Sequence, residues 1–235
     1  VLLLAFDTAT PAVTVALHDG THVLAETTTA DARRHGELLA SSIDAVLTEA
    51  GADRLDITAV AAGTGPGPYT GLRVGLVTAR VLGSALGVPV YGVCTLDVIA
   101  ADAAAAAGGR EFIVATDARR REVYWARYDA AGRRLDGPEV GFPADVAETA
   151  AAGQVSRTAQ GVLAARGLLA AGAGPLLYPG ILGEPIEPLY PAAGTLARLA
   201  AQQVTAGAPA TGADPIYLRR PDARVPGPPK RVTVL

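Results

Sequence analysis

The sequence predicts an α/β fold of two domains, built on a duplicated βββαβα unit whose second copy is degenerate. Three observations predict it. Over the first hundred residues the apolar pattern changes between a period of two and a period near 3.6, in the order β, β, β, α, β, α, β, α. Asp7 and Asp19 stand twelve residues apart around a strand–turn–strand pattern, and so do Asp117 and Asp129. Between the apolar run Ile57–Ala62 and a helical pattern at Leu72, Leu76, Ala79, Leu82 and Leu86 lies a stretch dense in Gly and Pro, from Gly63 to Gly75.

Taken in order, Leu2–Phe6 is an apolar strand, and Val13, Val15 and Leu17 alternate with Thr14, Ala16 and His18 as a second. Asp19-Gly20 is a hairpin signal, after which Val23–Thr28 returns as a third strand. A helix begins near Arg33-Arg34-His35 and stops before Gly51, with Leu39, Ile43, Val46, Leu47 and Ala50 as its apolar stripe. The glycine-rich stretch is followed by the helix Leu72–Leu86, a strand at Val88–Val93 and a helix at Leu96–Ala107. This order is the half-repeat of the actin, sugar-kinase and chaperone-ATPase (ASKHA) fold, an analogy of fold that carries no function by itself.

In the second half, Phe112–Thr116, Glu122–Tyr128 and Leu135–Phe142 read as strands. Ala144–Ala152, Gln160–Ala171 and Thr195–Ala206 read as Ala-rich helices. Nothing there recreates the first glycine loop; Gly172-Ala173-Gly174-Pro175 is the nearest attempt. The tail from Pro221 to Leu235, with four prolines, reads as extended. The domains are set at 1–104, with the glycine loop, and at 105–235, with the Pro-rich tail.

Composition excludes several classes. With 235 residues and 50% hydrophobic content the chain can bury one large core or two small ones. A formal net charge of −3 provides no global field toward nucleic acid or membrane, so work on RNA would go through a more basic partner. One cysteine, Cys94, forms no internal disulfide, which fits a reducing cytoplasm. Val1–Phe6 is too short for a signal core, and no stretch reaches the roughly 18 apolar residues of a membrane span.

The glycine loop is either a rigid connection or a backbone surface facing a ligand or partner. It is no Walker loop, since the only lysine is Lys230, and Gly63–Gly75 contains no dinucleotide fingerprint. The serines sit in no Gly-x-Ser-x-Gly elbow, and Cys94 after an apolar strand reads as a core thiol. His18, His22 and His35 form no ligand cluster, so no metal site is legible.

Gly65-Pro66-Gly67-Pro68-Tyr69-Thr70-Gly71-Leu72-Arg73-Val74-Gly75 resembles the G-P-G-S-[FY]-T-G-[LI]-R-[IV]-G signature of the bacterial TsaB (YeaZ) family, with Pro68 in place of Ser. Arg34-His35-Gly36-Glu37-Leu38-Leu39 is similar to that family's [RK]-H-S-E-x-L, with Gly36 for Ser. Asp117-Ala118-Arg119-Arg120-Arg121-Glu122-Val123-Tyr124 is similar to D-A-R-[RK]-x-E-[VI]-Y, and Pro215-Ile216-Tyr217-Leu218-Arg219 to P-x-Y-[LV]-R. The matches run in order from Asp7 to Arg219.

The resemblance implies a non-catalytic scaffold in tRNA threonylcarbamoyladenosine biosynthesis. Its partners would be a TsaD-type transferase, a TsaE-type ATPase and, when alone, a second copy; tRNA would be met indirectly. It would hold no cofactor by itself, with a nucleotide at the partner interface at most. Docking would use the His35 helix and the helix after the loop, through His35, Leu38, Leu39, Arg73, Gly75, Leu76, Ala79, Arg80 and Gly83. Gly75, Ala79 and Gly83 recur every four residues, a ridge that another helix can approach closely; it faces either that partner or the chain's own core. His35 is either an interface contact or a hydrogen-bonding residue at the helix start.

Enzymes of the ASKHA fold hold a nucleotide between their halves. Asp7, Thr8, Gly65 and Gly67 occupy the corresponding positions, but Ala9 stands where a glycine usually lets a phosphate approach, so the set reads as vestigial. The His-x-x-x-His pair of the catalytic relative threads onto Thr95 and Ile99, neither of which binds metal. The alternative is an autonomous small-molecule or acyl kinase using the Asp7 hairpin and the Gly65–Gly71 loop. Three arginines before Trp125 and Tyr128 suggest RNA, but the aromatics alternate between strand faces, so a solvated turn beside a packed strand is the better reading.

Overall fold

A computed structural model describes residues 1–31, 34–153, 167–210 and 212–219. The first half runs β1 (Leu3–Asp7), β2 (Ala12–His18), β3 (Val23–Ala30), α1 (His35–Ala50), β4 (Ala59–Gly63), α2 (Tyr69–Leu86), β5 (Val90–Val93) and α3 (Thr95–Ala106). The second runs β6 (Phe112–Asp117), β7 (Val123–Tyr128), β8 (Arg134–Gly141), α4 (Pro143–Gly153), β9 (Leu169–Ala171), α5 (Gly174–Leu177), β10 (Glu184–Pro185) and α6 (Ala193–Thr205).

The two five-stranded sheets have one plan. The first is ordered β3-β2-β1-β4-β5 and the second, read from its other edge, β8-β7-β6-β9-β10. In each, the first strand pairs antiparallel with the second and parallel with the fourth. The aspartates repeat as well. Asp7 Oδ1 accepts from the Ala9 N–H at 2.6 Å, and Asp117 Oδ1 accepts from the Arg119 N–H at 2.7 Å. Asp19 accepts from Thr21 and His22, and Asp129 from Ala131 and Arg133, closing the turn after the second strand of each half. The fold is the two-domain ASKHA type expected.

Side-chain alternation along the strands decides which helices cover which face. In β1, Leu4 and Phe6 join Leu39, Val46, Leu72, Leu76 and Ala79 of α1 and α2 in one core. Leu3 and Ala5 point to the other face, where they meet Leu196, Ala197 and Ala200 of α6. In β6, Ile113 and Ala115 meet Val146 and Ala150 of α4, whereas Phe112 and Val114 meet Leu96, Ile99 and Ala103 of α3. Each half therefore sends its third helix onto the other half's sheet, and α3 and α6 touch one another between the sheets.

One expected helix is corrected. Gln160–Ala171 was expected as helix, but Leu169–Ala171 is strand β9, parallel to β6. Its three apolar residues are buried, and no periodicity over so short a run separates strand from helix. Residues 154–166 lie outside the described residues. Gly172–Pro175 follows β9 and opens α5, so it does stand where the first half has its glycine loop, though α5 spans only four residues. The extended tail expected from Pro221 also lies outside the described residues. Among the described residues no helix is long and apolar enough to cross a membrane.

The exchanged helices should make the two halves melt together. Leu196→Ala removes a fully buried side chain from the first sheet's core and should cost about 2–5 kcal/mol. Scanning calorimetry should show one transition, moved to lower temperature, with van't Hoff and calorimetric enthalpies in agreement. Two transitions, with only one displaced, would contradict the coupling.

Candidate functional site

The geometry of the first half converges on Asp7, at the end of β1, which is fully buried. Its Oδ1 accepts from Ala9 N–H, and its Oδ2 accepts from the Thr95 hydroxyl at 2.6 Å. Thr95 opens α3, and its Oγ1 in turn accepts from the Gly65 N–H at 3.1 Å, while its own N–H donates to the Gly65 carbonyl at 2.8 Å. One carboxylate thus ties the first hairpin, the start of α3 and the glycine loop together. Burial pushes the Asp7 carboxyl above its ordinary range, against the opposing pull of Thr95, Ala9 and the charge of His35.

The glycine loop is pressed onto the Asp7–Thr10 hairpin. A Cβ on Gly63 would lie 1.8 Å from Asp7 Oδ2, and one on Gly67 would lie 2.2 Å from the Ala9 carbonyl oxygen. Thr8 Oγ1 donates to the Gly71 carbonyl at 2.8 Å and accepts from the Gly75 N–H at 2.9 Å. Asp7, Thr8, Gly65 and Gly67 are therefore brought together, but toward each other. Between the two hairpins, beside Thr10, Asp117, Ala173 and Tyr190, a cavity of about 10 Å³ remains, room for about one water.

The other positions singled out in the sequence are equally accounted for. Thr95 is consumed by Asp7, and Ile99 is buried in the second sheet's core. No group of three or more His, Cys, Asp or Glu able to hold a metal occurs among the described residues. The buried Cys94 thiol is pushed up to about 12 by burial and by Asp97 beside it, which keeps it un-ionised at neutral pH.

The small-residue ridge requires correction as a docking surface. Gly75, Leu76, Ala79 and Gly83 are buried, as is Leu39 on α1, all against the chain's own first sheet. A Cβ on Gly83 would lie 2.3 Å from Val90 Cγ2, so the close approach that these residues permit is used internally. His35 is half-buried and its Nε2–H donates to the Thr10 carbonyl at 2.9 Å, and Leu38 is half-buried beside the same core. Arg80 is exposed but reaches Asp214 at 2.6 Å and the carbonyls of Gly212 and Ala213. Only Arg73 remains fully outward, 5.0 Å over the Tyr69 ring.

What lies outward on α2 is a different stripe. Tyr69, Arg73, Val77 and Val81 follow at intervals of four, and the two valines are 51% and 60% exposed. That spacing is readable in the sequence, and the small residues Gly75, Ala79 and Gly83 lie on the opposite, buried face.

A second region joins two motifs that the sequence shows separately, Asp117–Tyr124 and Pro215–Arg219. Residues 212–219 run as a strap from the first half to the second. The Gly212 N–H donates to Val90, the Ile216 N–H donates to Thr64, and Arg219 pairs with Glu122 and reaches the Arg119 carbonyl. Under the strap, Gly67, Tyr69, Arg119, Tyr124 and Tyr217 line a cavity of about 590 Å³. Pro68 and Arg119 also line a neighbouring cavity of about 270 Å³, beside Thr8, Thr10, His35, Gly71 and Asp117.

Comparison with known proteins agrees with this geometry. A family model described as TsaD, tRNA N6-adenosine threonylcarbamoyltransferase, matches residues 22–166. An uncharacterized protein of Mycobacterium tuberculosis is 51% identical over 150 residues, which cover 61% of this chain and 66% of that relative. The tRNA threonylcarbamoyladenosine biosynthesis protein TsaB of Escherichia coli is 41% identical over 127 residues, 54% of each. The match thus spans between about half and two-thirds of these curated relatives. A Pseudomonas aeruginosa structure described as an uncharacterized protein with similarity to peptidase YEAZ superposes with a TM-score of 0.74. It is 30% identical, over 93% of this chain and 99% of that one. YeaZ from the same organism gives 0.71 at 28% identity, over 92% and 100%.

Since the folded state raises the Asp7 pKa, it holds that proton more tightly than the unfolded chain. This contribution to stability is complete below the ordinary aspartate value and is lost as pH rises through the folded one. Asp7→Asn, which keeps a partner for both Ala9 and Thr95, should remove that slope from urea-unfolding stability measured across the acidic range. Gly63→Ala should destabilise by about 1–3 kcal/mol through overpacking against Asp7. An unchanged slope in the asparagine variant would assign the proton elsewhere.

Proposed function

The chain belongs to the TsaB (YeaZ) family, and from that premise we propose that it is a non-catalytic subunit in tRNA threonylcarbamoyladenosine biosynthesis. Its role is to dock and support a TsaD-type transferase acting on the adenosine beside the tRNA anticodon, in the cytoplasm. A TsaE-type ATPase joins the pair, and a second copy of this chain takes the transferase's place when it is absent. The single observation that carries this reading is the internal use of Asp7, Thr8 and the glycine loop. The groups with which a kinase of this fold would meet phosphates are hydrogen-bonded to each other.

The docking surface is the outward face of α2 with the neighbouring α1. The family model that matches this chain is that of the transferase itself, so partner and chain have related folds. A surface that pairs two copies about a two-fold axis can then also pair the chain with its relative. Val77 and Val81, more than half exposed, provide apolar area that a helix pair would bury, with Arg73 at one end. Any nucleotide in the assembly would lie at the partner interface rather than between the two halves of this chain.

Size-exclusion chromatography with light scattering, on the chain alone and mixed with the transferase of the same organism, tests the reading. A heterodimer should form at the expense of the self-dimer. Val77→Glu combined with Val81→Glu should abolish both pairings while leaving the melting temperature nearly unchanged. Ala79→Trp should instead destabilise the chain itself by about 1–3 kcal/mol, because Ala79 has no exposed surface. Normal pairing by the double-glutamate variant, or micromolar binding of ATP by the isolated chain in calorimetry, would sink the proposal and revive the kinase alternative.

A further inference from the structure

We propose that the cleft beneath the 216–219 strap receives an unstacked nucleotide of a single-stranded RNA segment. The inference rests on the reading of the chain as part of a tRNA-modifying assembly and adds a direct RNA contact to it. Proteins that bind single strands combine aromatic faces, on which bases stack, with guanidinium groups that meet the phosphates. Here Tyr69 and Tyr217 stand with ring centroids 5.5 Å apart, both about half exposed, and Tyr124 lines the same cavity from β7. At about 590 Å³ the cavity falls within the roughly 300–1,000 Å³ that small organic groups occupy.

The arginines come from two separate segments. Arg119 and Arg120 line the cavity from the β6–β7 hairpin, and Arg219 lines it from the strap. Phosphates on both sides of one base can thus be met, which a free mononucleotide would not require. Arg121 and Arg73 stand nearby, and the carboxylates facing them are Asp117, paired with Arg119, and Glu122, paired with Arg219. Guanidiniums therefore outnumber carboxylates locally in a chain whose formal net charge is −3.

The hairpin backbone is held in place at a cost. Arg119, Arg120 and Arg121 all have left-handed φ, at 61°, 54° and 63°. Side-chain-bearing residues adopt that region unwillingly. Glycine would fit each position better for stability alone, yet each carries a guanidinium. The strain is offset by bonds from Arg119 N–H to Asp117, from Glu122 N–H to the Arg119 carbonyl and from Arg219 to that same carbonyl. The alternation of aromatics along β7 pointed away from RNA, because Trp125 and Tyr128 are core residues. The stacking faces come instead from Tyr69 and Tyr217, distant in sequence.

Fluorescence anisotropy with a labelled anticodon stem-loop RNA, a labelled single strand and a blunt duplex tests the proposal, on the full chain and on its complex with the transferase. The stem-loop and single strand should bind, the duplex should not, and AMP should fail to compete. Tyr217→Ala should weaken binding about tenfold and Tyr217→Phe should restore it. Arg120→Gly should weaken binding and lower the slope of log affinity against log salt by about 0.7, while melting no lower than the parent. Arg133→Ala, on the remote Asp129 turn, should bind as the parent does. Absence of RNA binding, equal affinity of Tyr217→Ala and the parent, or AMP binding with the same residue dependence would overturn it. If the chain pairs with the transferase but neither binds RNA through this cleft, only the present inference falls; if pairing also fails, the scaffold reading falls with it.

Discussion

The hydrogen bond between the Asp7 carboxylate and the Thr95 hydroxyl is the contact on which the rest of the first half depends. An ion removed from water costs several kcal/mol unless its lone pairs are used. Asp7 offsets part of that cost with Ala9 and Thr95, and Thr95 extends the network to Gly65. Three segments far apart in sequence thereby share one anchor. Because the carboxylate occupies the space beside β4, Gly63 has no room for a side chain, and because the hairpin then lies under the loop, neither has Gly67. The glycine-rich character of the loop follows from close packing on a hairpin, without any need for an external phosphate.

The second half repeats the plan and reverses its orientation to solvent. Asp117 occupies the place of Asp7 and makes the same turn bond, yet it is only half-buried and pairs with Arg119 at 3.0 Å. Among the described residues no counterpart of Thr95 closes over it. The hairpin is therefore free to carry three exposed arginines, and the 212–219 strap reaches it through Arg219. Two copies of one unit have diverged, one hairpin turned inward to hold the fold and the other turned outward to a cleft. The exchange of α3 and α6 prevents the copies from separating, since each sheet is completed by the other half's helix.

The same economy explains α2. Glycine and alanine on its inner side let the helix lie close to β4 and β5, so the apolar volume that would otherwise stabilise the helix stands on its outer side. Val77 and Val81 are exposed in consequence, and they are the apolar surface that the proposed docking would bury. Arg80, by contrast, ties α2 to the strap through Asp214.

The sequence by itself determined the order of elements in the first half, the duplication and the place of the glycine loop, because each is written in local periodicity, turn chemistry or repeated spacing. It also located Asp7, since a charge ending an apolar strand is conspicuous. It could not say that Thr95 would satisfy that charge, for the two residues are 88 apart and meet only through the sheet. Nor could it orient the Gly75–Ala79–Gly83 ridge, because small residues suit a partner's backbone and the chain's own strand equally well. Tyr69, Tyr217 and the hairpin arginines carry no common local pattern and were brought together by the strap. Tertiary structure alone decided which surfaces are inside, because burial depends on what the rest of the chain places opposite, and that is not a property of any one segment.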